Sequence, residues 1–277
     1  MSLFTHKNFT VDDLRQGLEA AGYIASDAIT LSLFLAAQLD KPILIEGPPG
    51  VGKTELAKVA SHYFNRPLIR LQCYEGLDES KALYEWKYGK QLLYTQVLKE
   101  QLGNILQGAT DLATSIEKLH QFGDIFYSHE FLYFLPLLSA LQSEQGAVLL
   151  IDEIDKADPE FEAFLLELLA DYQVSVPEIG TIKAKQRPLV LLTSNNQREL
   201  SDALKRRCLH LYIPYPDTAL ERQILAKRVP DLPEKLRDPL VAFVQALRQR
   251  DLRKVPAVSE TLDWARTLLL LHVQELD

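Results

Sequence analysis

The stretch that most constrains this chain is Gly47-Pro48-Pro49-Gly50-Val51-Gly52-Lys53-Thr54. A short apolar run, Pro42 to Glu46, leads into it, and a helical pattern from about Lys53 to Phe64 follows. Pro67 to Gln72 reads as the next strand. A glycine-rich loop between a buried strand and a helix start commits the chain to a strand–loop–helix–strand unit, and continuous apolar strands suit a parallel sheet covered on both faces. In that setting G-x-x-x-x-G-K-[ST] is a phosphate-binding loop. Its glycines let backbone N–H groups converge on phosphate oxygens, and the helix start adds the positive end of the peptide dipoles. Lys53 is expected to reach the β- and γ-phosphates and Thr54 to set its hydroxyl on Mg2+, so ATP and Mg2+ are the expected ligands. The competing reading, a glycine-rich turn that merely precedes Lys-Thr, explains neither flank.

Three more apolar runs, Ala147 to Ile151, Leu189 to Thr193 and Leu209 to Ile213, extend the sheet. Residues 11–39 read as two helices, the second N-capped by Ser26 or Asp27. Pro159 to Ala170 reads as a helix with proline in its first turn, and Gln173 to Lys185 as a hairpin. Residues 78–143 read as mostly helical, an excursion interrupted at Gly103 and around Gly123. After Pro214 and Pro216 only helical patterns remain, at 217–228, 234–249 and 258–273. The expected fold is α/β: a parallel sheet flanked by helices over 1–214, with a helical insertion around 84–143, then a small all-helical lid over 215–277.

Val148-Leu149-Leu150-Ile151 ends in Asp152-Glu153. Ligands of open α/β sheets sit at the carboxyl ends of strands. Asp152 is therefore assigned to the magnesium shell with Thr54, and Glu153 to orienting the attacking water. Asp155 reads as a surface or structural acid.

Bulk properties narrow the rest. The chain has 277 residues, 47% of them hydrophobic, enough for a large core. Its net charge of −8 counts against a broad nucleic-acid surface, which is built from phosphate-neutralising cations. Cys73 and Cys208 lie far apart and read as reduced thiols, and the six histidines form no ligand cluster. No apolar run approaches the roughly 18 residues of a membrane span, and the first residues lack a signal peptide's pattern, so a cytoplasmic location is expected.

GPPGVGKT, LLIDEID and LLTSNN together resemble AAA+ ATPases. FEAFLLELLADYQVSVPEIGTIKAKQRP and ELSDALKRRCLHLYIPYPD are similar to the MoxR branch. CYEGLDESKALYEWKYGKQLL resembles its CoxD-like members, which are associated with maturation of carbon monoxide dehydrogenase-type molybdenum hydroxylases. The resemblance covers nearly the whole chain. It implies an AAA+ core and an ATP-hydrolysing chaperone that remodels or matures a client protein, a metalloenzyme. It also implies a homo-oligomeric ring, usually a hexamer, with ATP between subunits, and a von Willebrand A-domain partner. An AAA+ nucleic-acid motor or loader, and an ATP-gated scaffold with little hydrolysis, are the alternatives.

By the same resemblance Asn195 matches the sensor-1 polar residue that helps Glu153 position water. Arg206 or Arg207, Arg207 by register, matches the arginine finger offered to a neighbouring subunit's ATP, although either could simply cap its helix. Gln72 stands where a polar residue holds the catalytic glutamate inactive in some relatives. Tyr23 and Ile24 fall in the adenine-contacting segment, with plain packing between helices as the competing role. The chain departs from the family at Val255-Pro256-Ala257-Val258-Ser259-Glu260-Thr261, where an acid stands near the place of the sensor-2 arginine. Arg253 and Arg266 are the nearest substitutes. Tyr84, Trp86 and Tyr88 read as core packing before a pore loop, and Lys183, Lys185 and Arg187 as a solvated hairpin face or a pore lining.

Overall fold

The computed structural model describes residues 9–105, 129–177 and 179–275. Helix α1 (Val11–Ala20) opens on a capping box between Thr10 and Asp13, and α2 (Asp27–Leu39) is capped by the Ser26 hydroxyl. Then come β1 (Ile43–Glu46), α3 (Lys53–Phe64) and β2 (Leu68–Gln72). Helix α4 (Glu79–Leu83), β3 (Tyr84–Trp86), α5 (Tyr88–Ile105), β4 (Leu132–Phe134) and α6 (Pro136–Leu141) make up the excursion. The chain returns through β5 (Val148–Asp152), α7 (Pro159–Asp171), the hairpin β6 (Gln173–Val176) and β7 (Gly180–Lys183), β8 (Leu189–Ser194), α8 (Asp202–Arg207) and β9 (Leu209–Tyr212). Helices α9 (Thr218–Arg228), α10 (Glu234–Arg248) and α11 (Val258–Leu270) follow.

Five strands form one parallel sheet in the order β2-β5-β8-β1-β9. Every residue of β5 and β8 is buried, as strands covered on both faces must be. Alternation along the strands splits the core into two layers. Leu44, Leu149, Ile151, Val190 and Leu192 face α6 and α7, whereas Ile43, Ile45, Val148, Leu150 and Leu191 face α1, α2 and α3. The three C-terminal helices bury a separate cluster around Leu225, Leu236, Val241, Val244 and Ala265. The sheet thus brings the carboxyl ends of β1, β5 and β8 together, and the phosphate loop, the acidic pair and Asn195 all leave from there.

The excursion departs from the helical expectation. β3 and β4 pair antiparallel, Tyr84 opposite Phe134 and Trp86 opposite Leu132. The aromatic alternation suits a pleated surface packed on the core, and its partner lies more than forty residues away, beyond the reach of local periodicity. Gly103 lies inside α5 and does not interrupt it. The break expected around Gly123 lies outside the described residues.

Candidate nucleotide site

The phosphate loop is shaped by glycines at which a side chain would be strained or crowded. Gly47 has φ 148°, and a Cβ there would stand 2.1 Å from the Ile213 carbonyl oxygen. Gly50 has φ 73°, and its Cβ would meet that of Ala257, just before α11, at 2.4 Å. The first contact seats the loop against the sheet, and the second lets the C-terminal helices approach it closely.

Lys53 folds back beneath the loop. Its Nζ donates to Gly47 O (2.5 Å), Pro48 O (2.8 Å) and Asn195 Oδ1 (2.7 Å). Burial pulls its pKa down to about 8, against the opposing pull of Asp155, Asp152 and Glu153. Gly47 and Pro48 thus serve the site through their carbonyls, while Pro49, Gly50, Val51, Gly52, Lys53 and Thr54 line the pocket.

Asp152 is almost fully buried, and both its oxygens are taken. The Thr54 hydroxyl lies 3.1 and 3.2 Å from them, the Thr193 hydroxyl donates to Oδ1, and Arg70 reaches Oδ2 from Nε (3.0 Å) and Nη2 (2.6 Å). Glu153 leaves the strand in the left-handed region, φ 58°, and its N–H donates to Thr193 Oγ1 (2.9 Å). Its Oε2 accepts from Gln72 (2.8 Å) and Lys156 (2.6 Å), and its Oε1 from Asn195 Nδ2 (3.3 Å). The bond to Glu153 pushes the Lys156 pKa up. Asp155 is buried, so of its two sequence readings the structural one holds. Its Oδ2 accepts from the N–H groups of Asn195 (3.1 Å) and Gln197 (3.0 Å).

These side chains floor a cleft of about 470 Å³, a volume typical of ligand pockets. Tyr23 and Ile24 line it beside Ile213, Pro214, Leu220 and Ile224. Tyr23 also packs in the core, and burial raises its hydroxyl pKa. The far wall is Val258, Ser259, Leu262 and Arg266 of α11. Arg266 therefore faces the pocket and Arg253 does not. Glu260 is engaged elsewhere, accepting from the Ala257 N–H and pairing with Lys254. Arg206 and Arg207, at the end of α8, are exposed and lie outside this lining; Arg207 donates to Leu166 O (2.5 Å).

Three groups escape a reading of the sequence. Arg70 and Thr193 reach Asp152 only through the register of β2, β5 and β8. Arg228 of α9 lines the cleft and ion-pairs with Glu55 of α3 (2.7 Å). Burial would raise the Glu55 pKa, but Arg228 and Lys58 outweigh it and hold the carboxyl low. The one visible signal was a charged residue, Arg70, in an otherwise apolar strand.

Other candidates fall away from the site. Tyr84 and Trp86 pack edge to face (5.9 Å) against the core, and Tyr88 is exposed. Lys185 pairs with Glu144, and Arg187 stacks over Tyr172 (5.4 Å) near Asp40, while Lys183 is exposed. Burial pushes both thiols, Cys73 and Cys208, up to about 12, far from a reactive thiolate.

The donor chemistry fits the expected ligands. Thr54 and Asp152 offer adjacent hard oxygens of the kind Mg2+ takes, and the positive-φ glycines and the α3 N-terminus suit phosphate. Residues 42–208, more than half of the chain, match the family described as AAA domain, dynein-related subfamily. The chain belongs to that family, within the AAA+ P-loop ATPases. It is similar to the uncharacterized protein YojN of Bacillus subtilis (strain 168), 29% identical over 231 residues, which are 80% of this chain and 64% of that one. An uncharacterized protein of Staphylococcus epidermidis is 27% identical over 241 residues, 84% of this chain and 77% of its own. A RuvB mutant from Thermotoga maritima superimposes with TM-score 0.51 at 16% identity, over 97% of this chain and 67% of that one, a likeness of fold alone.

Proposed function

We propose that this chain is a Mg2+-dependent ATPase of the MoxR type, which uses ATP cycles in a homo-oligomeric ring to remodel a client protein. The observation that carries the reading is the Asn195 amide, which accepts from Lys53 and donates to Glu153. One side chain thereby ties the phosphate-binding cation to the group placed to orient water, across three strand ends. On this reading residues 1–214 form the nucleotide-binding core and 215–277 the lid. Thr54 and Asp152 would hold Mg2+, which supplies charge neutralisation on the phosphates. Lys53 binds the β- and γ-phosphates, and Tyr23 and Ile24 enclose the base. Glu153 and Asn195 orient the attacking water, and Glu153 takes up its proton as the water oxygen bonds the γ-phosphorus and the bond from that phosphorus to the bridging oxygen breaks, releasing ADP. Gln72 and Lys156 hold the Glu153 carboxylate in the resting form.

Arg207, with Arg206 as its alternative, is the finger for the neighbouring subunit. Both are exposed and outside their own pocket, as a group acting in trans must be. Arg266 is the lid cation nearest the role left open at Glu260. The resemblance of the 73–93 segment to CoxD-like proteins points to a metalloenzyme client in the cytoplasm, a molybdenum hydroxylase of the carbon monoxide dehydrogenase type, with a von Willebrand A-domain partner. The test is Glu153→Gln. ATP affinity should hold while turnover falls about 10²- to 10⁴-fold, the range of a lost general base. Wild-type turnover per subunit should rise with protein concentration as the ring assembles. Unchanged turnover in Glu153→Gln would end the assignment.

A further inference from the structure

The carboxylate expected to face the metal is already neutralised by the protein. Arg70 stands on β2, the edge strand, two residues before Gln72 and on the same face. Its guanidinium makes two bonds to Asp152 Oδ2, at 3.0 and 2.6 Å, and Nη2 also reaches Gln72 Oε1 at 2.5 Å. Gln72 in turn donates to Glu153. A continuous chain, Asp152–Arg70–Gln72–Glu153, thus joins the two carboxylates through the edge strand. The Asp152 side chain is 4% exposed and that of Arg70 50%, so the acid is fixed in the core while the base reaches in from solvent. An ionised carboxylate so buried needs a countercharge. Thr193 donates to Oδ1 and Arg70 to Oδ2, and the Thr54 hydroxyl lies 3.1 and 3.2 Å from the two, so a cation that binds Asp152 directly has to displace one of these groups. Thr193 is 1% exposed and locked to the Glu153 N–H, and the Thr54 hydroxyl is itself assigned to the metal, so Arg70, its side chain 50% exposed, is the group that has to withdraw.

We infer that Arg70 is the resident countercharge of Asp152, competing with a divalent ion for that carboxylate. It neutralises Asp152 when no divalent ion is bound, and it must withdraw before Mg2+ can engage that carboxylate. It is a positioning residue that acts through Asp152, and its withdrawal loosens the Gln72 contact that holds Glu153. The inference rests on the ATPase reading, because it takes Asp152 as part of the magnesium shell.

The test compares the wild-type chain with Arg70→Ala, Arg70→Gln and Arg70→Lys by calorimetric titration of ADP, in EDTA and in Mg2+. In EDTA, ADP should bind wild type and variants alike, because the phosphate loop is untouched. The gain in ADP affinity on adding Mg2+ should be about tenfold larger in Arg70→Ala and Arg70→Gln than in wild type, since no resident cation has to leave. Arg70→Lys, which keeps a cation, should behave as wild type. Melting in EDTA should fall in the neutral variants and recover with Mg2+-ADP. Should Arg70→Ala fail to fold, Arg70→Gln, which keeps hydrogen-bond donors, gives the same reading. An unchanged or smaller Mg2+ gain in the neutral variants overturns the inference while leaving the ATPase reading intact. Wild type that binds ADP in neither condition overturns both.

Discussion

Glu221 offers the strongest stability test in the chain. It lies on α9, is fully buried, and its carboxylate accepts four bonds. Arg248 of α10 donates from Nη1 (2.7 Å) and Nη2 (2.8 Å), Gln245 from Nε2 (2.7 Å) and Thr261 of α11 from Oγ1 (2.8 Å). The Arg248 side chain is 6% exposed, donates from Nε to Pro256 O (2.9 Å) and lies over the Tyr215 ring (4.8 Å). Gln245 also donates to Pro216 O (3.0 Å). One carboxylate therefore ties all three C-terminal helices to each other and to the segment that joins them to the sheet.

Glu221→Ala would remove those four acceptances and leave a buried guanidinium without its counter-ion. Breaking one partner out of a buried pair costs about 3–5 kcal/mol. At roughly 2–4 °C per kcal/mol for a chain of this size, the melting temperature should drop by about 6–20 °C. ATP affinity should fall with it, because Leu220, Leu262 and Arg266 line the cleft from these helices. The assay is calorimetric melting with a parallel nucleotide titration. Glu221→Leu combined with Arg248→Met should recover most of the loss, since an apolar pair of similar volume replaces a buried ion pair at little cost. A loss below about 1 kcal/mol, the worth of an exposed pair, would refute the reasoning. So would a double variant no better than the single.

Two further outcomes follow from the site. Lys53 has its pKa pulled from 10.5 to about 8 by burial, so folding disfavours its charged form. The penalty is complete below about 8 and fades as pH rises toward 10.5, so the unliganded protein should gain stability across that window; Lys53→Met should abolish the slope in pH-dependent melts. Asp155→Ala should release the Asn195 and Gln197 N–H groups, which both donate to Asp155 Oδ2, and ATP turnover should fall about tenfold to a hundredfold with ADP affinity nearly unchanged. Equal losses in steady-state turnover and in ADP titration would instead mark Asp155 as a general support of the pocket.

Much of this architecture is legible because its determinants are local. The loop from Gly47 to Thr54 carries its own backbone requirements, and the apolar runs before Asp152 and Asn195 announce strands buried on both faces. The β3–β4 ribbon was not legible, because three-residue strands carry too little pattern and Tyr84 meets Phe134 across a long intervening segment. Gly103 misled in the other direction: a glycine costs a helix about 1 kcal/mol, which α5 tolerates. The same division runs through the site. Residue types were readable at the strand ends, but the occupancy of Asp152 by Arg70 depends on β2 lying beside β5 in register, Gln72 opposite Asp152. Strand order is a property of the whole sheet and leaves no local mark.

The contrast between the bonds inside the C-terminal helices and those joining them to the core bears on how a nucleotide could move them. Within the three helices the Glu221 network is buried and fully satisfied. Among the described residues the ties across the cleft include the Arg228–Glu55 pair, whose side chains are each 32% exposed, and the approach of Gly50 to Ala257. A pair that open to solvent contributes about 1 kcal/mol or less. A ligand shifts a conformational equilibrium only by its differential contacts with the two states. Phosphates held by the loop and a base held against Leu220 and Ile224 need only outweigh that weak latch, since the helices resist internal distortion by several times as much. On the proposed function, ATP binding and loss would therefore swing α9, α10 and α11 as one body about the segment from Ile213 to Pro216, and the rigidity supplied by Glu221 and Arg248 is what would carry that motion to a neighbouring subunit.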